Sequence, residues 1–352
     1  VDARTSPGWA QRLQQAWLDR GVLACALWPL SLLFAAVTAL RRGLYRIGVL
    51  RIHAVGAPVI VVGNLIAGGA GKTPVVIALV DALRRRGYTP GIVSRGYGGS
   101  LDGVTDLDRS MRAADCGDEP LLLHLRTQAP VVVGRDRVAA ARHLLQRHLQ
   151  VDVVVSDDGL QHLRLARDAQ VLVFDERGIG NGWLLPAGPL RESLPRAMPP
   201  RSLVVYNATA PSTPLPGTLA QRSLVGVVAL DDWWQGHTAS VAALDALRHR
   251  PVLAAAGVAR PERFFAMLRT RGLQITPLAL PDHHDYAQLP WPADTPDVVV
   301  TEKDAIKLDS ARMGRTRVWV APLDFALDAA FDAALVQLLP PPGTPSHGNA
   351  PP

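Results

Sequence analysis

The chain has 352 residues, enough for two domains, and its 48% apolar content allows a sizeable core. A net charge of +6 favours anionic partners, but aromatics are only 5% and no RNP-like or zinc spacing occurs, which argues against nucleic acid. The two cysteines, Cys25 and Cys116, lack CxxC spacing and nearby metal partners, which excludes a disulfide framework and suits a reducing compartment.

The first distinctive stretch is Val22 to Leu40, which carries no charge and is about long enough to cross a bilayer, for which ~20 apolar residues are needed. Pro29 lies inside it and is expected to kink or interrupt a helix. Arg41, Arg42, Arg46 and Arg51 follow at once, marking the downstream side as cytoplasmic and offering a grip on anionic headgroups. No small-residue cleavage site follows, so a secretory signal is not expected. Because the chain starts at Val1, an initiator residue is expected to be missing. Residues 1–51 therefore read as a membrane-associating segment, with three geometries open: a spanning or re-entrant anchor, a helix in the interface, or a buried soluble hairpin.

Pro58 to Val62 is a short β-branched run that predicts a buried strand. Gly63 to Gly71 is a glycine-rich loop, and Lys72-Thr73 then open a segment with apolar residues at Val76, Leu79, Val80 and Leu83, a helical period. Strand, glycine loop, Lys-Thr and helix hold a nucleoside triphosphate: backbone N–H groups turn inward on the phosphates and the helix N-terminus adds positive potential. The residues expected to cradle ATP are Gly63, Asn64, Ala67, Gly68, Gly69, Ala70, Gly71, Lys72, Thr73 and Pro74, with Lys72 on the β/γ-phosphates and the Thr73 hydroxyl on Mg²⁺. Ile66 stands where the usual pattern has a small residue, so the loop is a variant. The alternative is a glycine-rich turn that binds no nucleotide.

Tyr88 to Ser94 predicts a second strand, running into Arg95-Gly96-Tyr97-Gly98-Gly99, where open α/β sheets bind ligands. Leu101 to Ala114 reads as a polar surface loop, and Asp118-Glu119 precede an apolar helix at Leu121 to Leu125. Pro130 to Val133 predicts a strand and Arg135 to His148 a basic helix. Val151 to Ser156 is an apolar strand that ends in Asp157-Asp158, the Walker-B arrangement in which a carboxylate holds Mg²⁺. Ala169 to Phe174 and Leu203 to Tyr206 predict further strands, on either side of a long ligand-side loop at Gly178 to Pro200. A Pro/Thr/Ser-rich crossing at Ala208 to Pro216 sets the expected boundary between a P-loop domain, 52–207, and a smaller α/β domain, 208–339.

In the second unit, Val252 to Ala256, Pro261 to Arg271 and Leu273 to Leu280 read as strand, helix and strand. Asp282-His283-His284-Asp285 follows: a surface turn, a metal pair without a third ligand, or a catalytic histidine. Val298 to Val300 leads into Thr301-Glu302-Lys303-Asp304, which resembles the base-reading loop of some P-loop enzymes. Leu327 to Leu339 predicts an amphipathic helix, and the Pro/Gly-rich 340–352 a disordered tail. The fold class expected is α/β: a P-loop NTPase-type, mostly parallel sheet, a second smaller α/β domain and an N-terminal apolar helix.

Taken in order, VVGNLIAGGAGKTP, VSRGYGG, CGDEP, VVVSDDGLQH, LLPAGPLRES, LPDHHDY and VVTEKDAIK, with the apolar N-terminal segment, resemble the tetraacyldisaccharide 4'-kinase family of Gram-negative bacteria. That family's loop is similar to GNLxAGGxGKTP, which accommodates Ile66. The resemblance implies transfer of the ATP γ-phosphoryl group to the 4'-hydroxyl of tetraacyldisaccharide 1-phosphate, giving lipid IVA. It implies ATP and Mg²⁺ as cofactors, a lipid acceptor and a membrane surface as partners, no obligate protein partner, and the cytoplasmic face of the inner membrane. It points to Asp118 as general base with His283 orienting it or sharing the proton, and to Mg²⁺ held by Thr73 with Asp157 and Asp158. Arg95, Tyr97, Gln161, His162 and Glu192, and more loosely Arg137, are assigned by it to acceptor binding or its support. The rival readings are a membrane-associated P-loop ATPase acting as a switch, and a soluble kinase for a small metabolite.

Overall fold

Short β-branched runs between glycine-rich turns build the larger sheet of the computed structural model, which describes residues 9–344. Its strands are β1 (Val59–Gly63), β2 (Pro90–Ser94), β3 (Val104–Asp106), β4 (Val131–Gly134), β5 (Val153–Asp157), β6 (Ala169–Asp175), β7 (Ser202–Asn207) and β8 (Thr218–Leu219). The spatial order is β3-β4-β2-β5-β1-β6-β7-β8, and only β3 runs antiparallel to its neighbour. β1, β2, β4 and β5 are wholly buried, as parallel strands covered on both faces must be. The chain leaves β1 for β2 by stepping over the position of β5, while β6 returns to the other side of β1. This makes the C-terminal end of β1 a topological switch point, where open sheets leave a crevice for ligand. The register sets Val62 of β1 beside Asp157 of β5, so the phosphate loop and the Walker-B acid start level with each other.

The remaining strands are β9 (Gln221–Leu224), β10 (Val228–Ala229), β11 (Val252–Ala256), β12 (Ile275–Ala279), β13 (Asp297–Val300), β14 (Arg317–Val320) and β15 (Leu323–Ala326). Five of them form a second sheet in the order β10-β14-β13-β11-β12, and β9 pairs with β15. β8 still pairs with β7 beyond Ala208 to Pro216, and the second sheet starts at Val228. One apolar cluster runs through both units: it joins Ile60, Leu79 and Leu83 to Trp233, Val298, Val300 and Phe331. Two sheets share one core.

Two local expectations change. The stretch Leu101 to Ala114 contains β3 and the start of the helical turn Ala113–Cys116, because the β4 edge offers unpaired backbone groups that Val104 to Asp106 satisfy. The expected tail at 340–352 falls mainly outside the described residues. Within them, Pro340 accepts from Tyr88 Oη at 2.7 Å and the Gly343 N–H donates to Asp152 at 3.1 Å. Residues 1–8 of the expected N-terminal segment also lie outside.

The apolar helix Val22–Arg46 continues through Pro29, which lacks the N–H for one hydrogen bond of the ladder. Only Ala24, Ser31 and Tyr45 on it are buried, while Val22, Leu30, Leu33, Val37 and Leu40 are each more than half exposed. Its apolar window has mean hydropathy 2.1 and is 11% buried, so the buried-hairpin reading does not hold. The helix is long and apolar enough to cross a membrane. Its seat is the segment 181–192. Ser31 Oγ donates to Leu184 O at 2.8 Å and accepts from Ala187 N at 3.0 Å, and Arg42 pairs with Glu192. Buried Asn181 donates to the carbonyls of Ala16, Asp19 and Ala187 at 2.9–3.2 Å. Asn181→Ala leaves those carbonyls short of donors, so urea unfolding should report a loss of about 2 kcal/mol.

Candidate active site

The phosphate loop is held in shape by its own side chains. Asn64 Nδ2 donates to Ile66 O at 2.9 Å and Gly68 O at 3.1 Å, while Asn64 Oδ1 accepts from Lys72 Nζ at 3.2 Å. Gly68 and Gly71 have φ of +88° and +78°, the left-handed region that turns N–H groups toward one centre. A Cβ on Gly71 would lie 1.8 Å from Asn207 Nδ2, which donates to Ala70 O at 3.0 Å. Pro74 sits in the first turn of the helix Lys72–Arg85, where no intrahelical N–H bond is lost. Gly68 and Gly69 at the loop tip are exposed, whereas Lys72 and Thr73 are buried behind it. Ile66, the departure from the usual pattern, is fully buried and bridges to Leu190. The Ala67 N–H donates to Pro189 O and the Arg191 N–H to Leu65 O, both at 2.7 Å. The large residue therefore seats the loop against the GPLRE segment.

Opposite the loop stand the carboxylates. Asp157 ends β5 and its Oδ2 accepts from Ser94 Oγ at 3.0 Å, but the buried Oδ1 has no hydrogen-bond partner. Burial, then the charge of Glu119, push its carboxyl up. Asp158, at φ +48°, lies 3.5 Å from both Lys72 Nζ and Arg191 Nη1. Among the described residues no three His, Cys, Asp or Glu side chains form a metal cage. Two carboxylates, each with a buried oxygen that has no hydrogen-bond partner, and a threonine hydroxyl suit Mg²⁺, which completes its shell with water and phosphate oxygens.

On the acceptor side the structure sorts the expected residues. Arg95 and Tyr97 are exposed at the C-terminal end of β2, with Tyr97 80% exposed. Gln161 Nε2 donates to Asn64 O and its Oε1 accepts from Arg191, each at 3.4 Å. His162 is neutral: burial, then Arg137, hold its ring down to about 4. Arg137 stands as support for the site rather than at its surface. It is buried, and it donates to Gly134 O at 2.8 Å and Asp157 O at 3.0 Å, so it clamps the end of β5. Glu192 pairs with Arg42, which ties the loop to the base of the apolar helix.

Asp118 opens the helix Asp118–Thr127, after Gly117 at φ +93°. A Cβ at Gly117 would lie 2.7 Å from Tyr97 O, so the RGYGG loop packs directly against the turn that aims Asp118. Asp118 Oδ2 lies 3.2 Å from His283 Nδ1 and 2.9 Å from Lys307 Nζ, both from the second unit. Its neighbour Glu119 accepts from Lys303 Nζ at 2.7 Å, and that ammonium's charge holds its carboxyl down at about 2. His284 turns the other way, with its ring against Tyr286 at 4.7 Å, so the two histidines diverge and cannot share one ion. The TEKD segment is no base-reading loop here. Thr301 caps a short helix, Glu302–Ala305, whose lysine meets Glu119.

Sequence reasoning passed over Arg191, Lys303, Lys307 and the pair Asp175–Arg177, whose arginine donates to Gly69 O at 2.7 Å. For Arg191, Lys303 and Lys307 the only signal was membership of the matched GPLRE and TEKDAIK strings; Asp175 and Arg177 lie in no matched string. A phosphate cradle at a switch point, acids on the adjoining strand and an acid–histidine pair at the rim define a P-loop phosphotransferase.

The comparisons narrow that class. The profile of the family described as tetraacyldisaccharide-1-P 4'-kinase matches residues 23–340. The tetraacyldisaccharide 4'-kinase of Methylibium petroleiphilum is 58% identical over 94% of this chain and 93% of its own, and that of Leptothrix cholodnii 54% over 96% and 98%. The crystal structure of LpxK from Aquifex aeolicus in complex with ATP superposes with a TM-score of 0.75 at 27% identity, covering 91% of this chain and all of that one. The chain belongs to the tetraacyldisaccharide 4'-kinase family. Gly71→Ala, which forces a Cβ into Asn207 at a positive φ, should weaken MgATP binding by about 10-fold or more, as read by titration calorimetry.

Proposed function

We propose that the protein transfers the γ-phosphoryl group of ATP to the 4'-hydroxyl of a tetraacyldisaccharide 1-phosphate, giving lipid IVA, a step of lipid A synthesis. The observation that carries this reading is the Asp118–His283 pair, which reaches across the two units at the edge of the sheet that bears the phosphate loop. A switch ATPase needs no base for an alcohol. A sugar hydroxyl is a poor nucleophile and gains from one.

Each residue then has a task. Lys72 and the backbone N–H groups of 68–73 grip and neutralise the phosphates. Thr73 with Asp157 and Asp158 would hold Mg²⁺, which when bound offsets charge on the phosphate oxygens. Asp118 accepts the proton of the 4'-hydroxyl as its oxygen bonds to phosphorus and the bond to the β-phosphate oxygen breaks, releasing ADP. His283 orients Asp118 or takes a share of that proton. Arg95 and Tyr97, exposed on the same rim, face an acceptor that already carries a phosphate. The exposed apolar helix and the arginines after it would hold the enzyme at the cytoplasmic face of the bacterial inner membrane, where a tetraacylated substrate resides.

The decisive experiment is mass spectrometry of tetraacyldisaccharide 1-phosphate after incubation with protein and MgATP in detergent, beside a Lys72→Ala reaction. One added phosphate at the 4' position, absent with the variant, is the expected outcome; ATP hydrolysis with unchanged lipid would overturn the reading. Asp118→Ala should lower kcat by about 100-fold or more with little change in the KM for ATP. The double variant Leu33→Asp, Leu40→Asp should lose flotation with anionic vesicles while its circular dichroism stays unchanged.

A further inference from the structure

The helix Asp118–Thr127 meets the Thr301–Lys307 segment of the second unit through three ion pairs: Asp118 with Lys307, Glu119 with Lys303, and Arg126 with Glu302. The other polar residues of the segment turn inward: Asp304 takes the Thr301 hydroxyl and the Gly257 N–H. Lys307 differs from Lys303 in its surroundings. Its side chain is 9% exposed against 34%, and Asp118 is its one ion-pair partner among the described residues. A largely buried ammonium holds its ion-pair partner firmly, because separating the two leaves the ammonium poorly compensated away from water.

Both donors reach the same oxygen. His283 Nδ1 and Lys307 Nζ lie 3.2 and 2.9 Å from Asp118 Oδ2, whereas Oδ1 has no partner among the described residues. Both contacts fall on Oδ2, a hydrogen bond from one side chain and an ion pair from the other, which leaves Oδ1 as the oxygen open to a hydroxyl. His283 alone, 56% exposed, cannot hold that arrangement, since a surface contact is readily exchanged for water.

We propose that Lys307 is a positioning residue for phosphoryl transfer: with His283 it holds Asp118 by Oδ2, so that Oδ1 is the atom that takes the acceptor's proton. This rests on the reading of Asp118 as base, and the test separates the two. Lys307→Met should lower kcat for the lipid acceptor about 30-fold while the KM for MgATP moves less than about 3-fold, and Lys307→Arg should restore most of the rate. Arg126→Met removes a neighbouring pair of the same seam without touching Asp118 and should keep kcat within about 3-fold of the parent. If Lys307→Met does not fold by circular dichroism, Lys307→Gln carries the same expectation. An unchanged kcat in Lys307→Met or Lys307→Gln, or an equal loss in Arg126→Met, overturns the proposal. Asp118→Asn with full activity would instead overturn the base reading beneath it.

Discussion

A buried ammonium sets the terms for the whole C-terminal edge of the sheet. Lys72 is 7% exposed, and a charge so far from water has to be met by polar partners whether or not phosphate is present. Asn64 Oδ1 and Asp158 Oδ1 meet it. Each of those partners in turn shapes its own surroundings: Asn64 pins the carbonyls of the glycine loop, and Asp158 draws in Arg191. The cradle is therefore kept open by side chains rather than by ligand. Binding exchanges contacts around Lys72 instead of creating order from a slack loop, which lowers the entropic cost of gripping a triphosphate.

The segment from Asn181 to Glu192 carries two duties at once. One side of it seats the apolar helix through Ser31, Arg42 and the Asn181 amide. The other side is hydrogen-bonded to the phosphate loop at Leu65 and Ala67 and reaches Asp158 through Arg191. Ile66 is large because this second contact is a packed one, with Leu190 across the bridge. An anchor on a loose tether could be lengthened freely. Here the helix and the phosphate loop are held by the same short segment through packed and hydrogen-bonded contacts.

How much of this was legible in sequence follows from how local each cause is. The strand, the glycine loop and Lys72-Thr73 are one contiguous string with a known backbone purpose, and β1 and its helix stand within a residue or two of where the pattern sets them. The meeting of Asp118 with His283, residues far apart in sequence, came from the family resemblance and not from spacing; their contact is visible only once the second sheet is in place. Arg137 and Glu192 were assigned to acceptor binding or its support, and the contacts that hold them, a backbone carbonyl at Asp157 and an arginine on another helix, cannot be read from their neighbours in sequence. β3 escaped because a three-residue edge strand has no period to read. Lys303 and Lys307 escaped because a lysine's partner across a domain seam leaves no trace in its neighbours.

The seam explains why the second unit is present at all. On the first unit the rim of the cleft is acidic: Asp118, Glu119, Asp157, Asp158, Asp175 and Glu176 all gather at the strand ends or the helix that follows. Lys72 and Arg191 of the same unit already meet Asp158, and Arg177 meets Asp175. The second unit answers with Lys303, Lys307, Arg260 and Arg263, each paired to one of those acids. Apart from the buried Lys307–Asp118 contact, these pairs are partly exposed and worth about 0–1 kcal/mol each, too little to hold two lobes together. Adhesion comes from the shared apolar core, in which the helix Lys72–Arg85 packs against β15 while Trp233 and Val298 join the same cluster. The ion pairs thus do a different job: they neutralise acids of the rim, and two of them set the turn that carries Asp118 and Glu119 against the second unit.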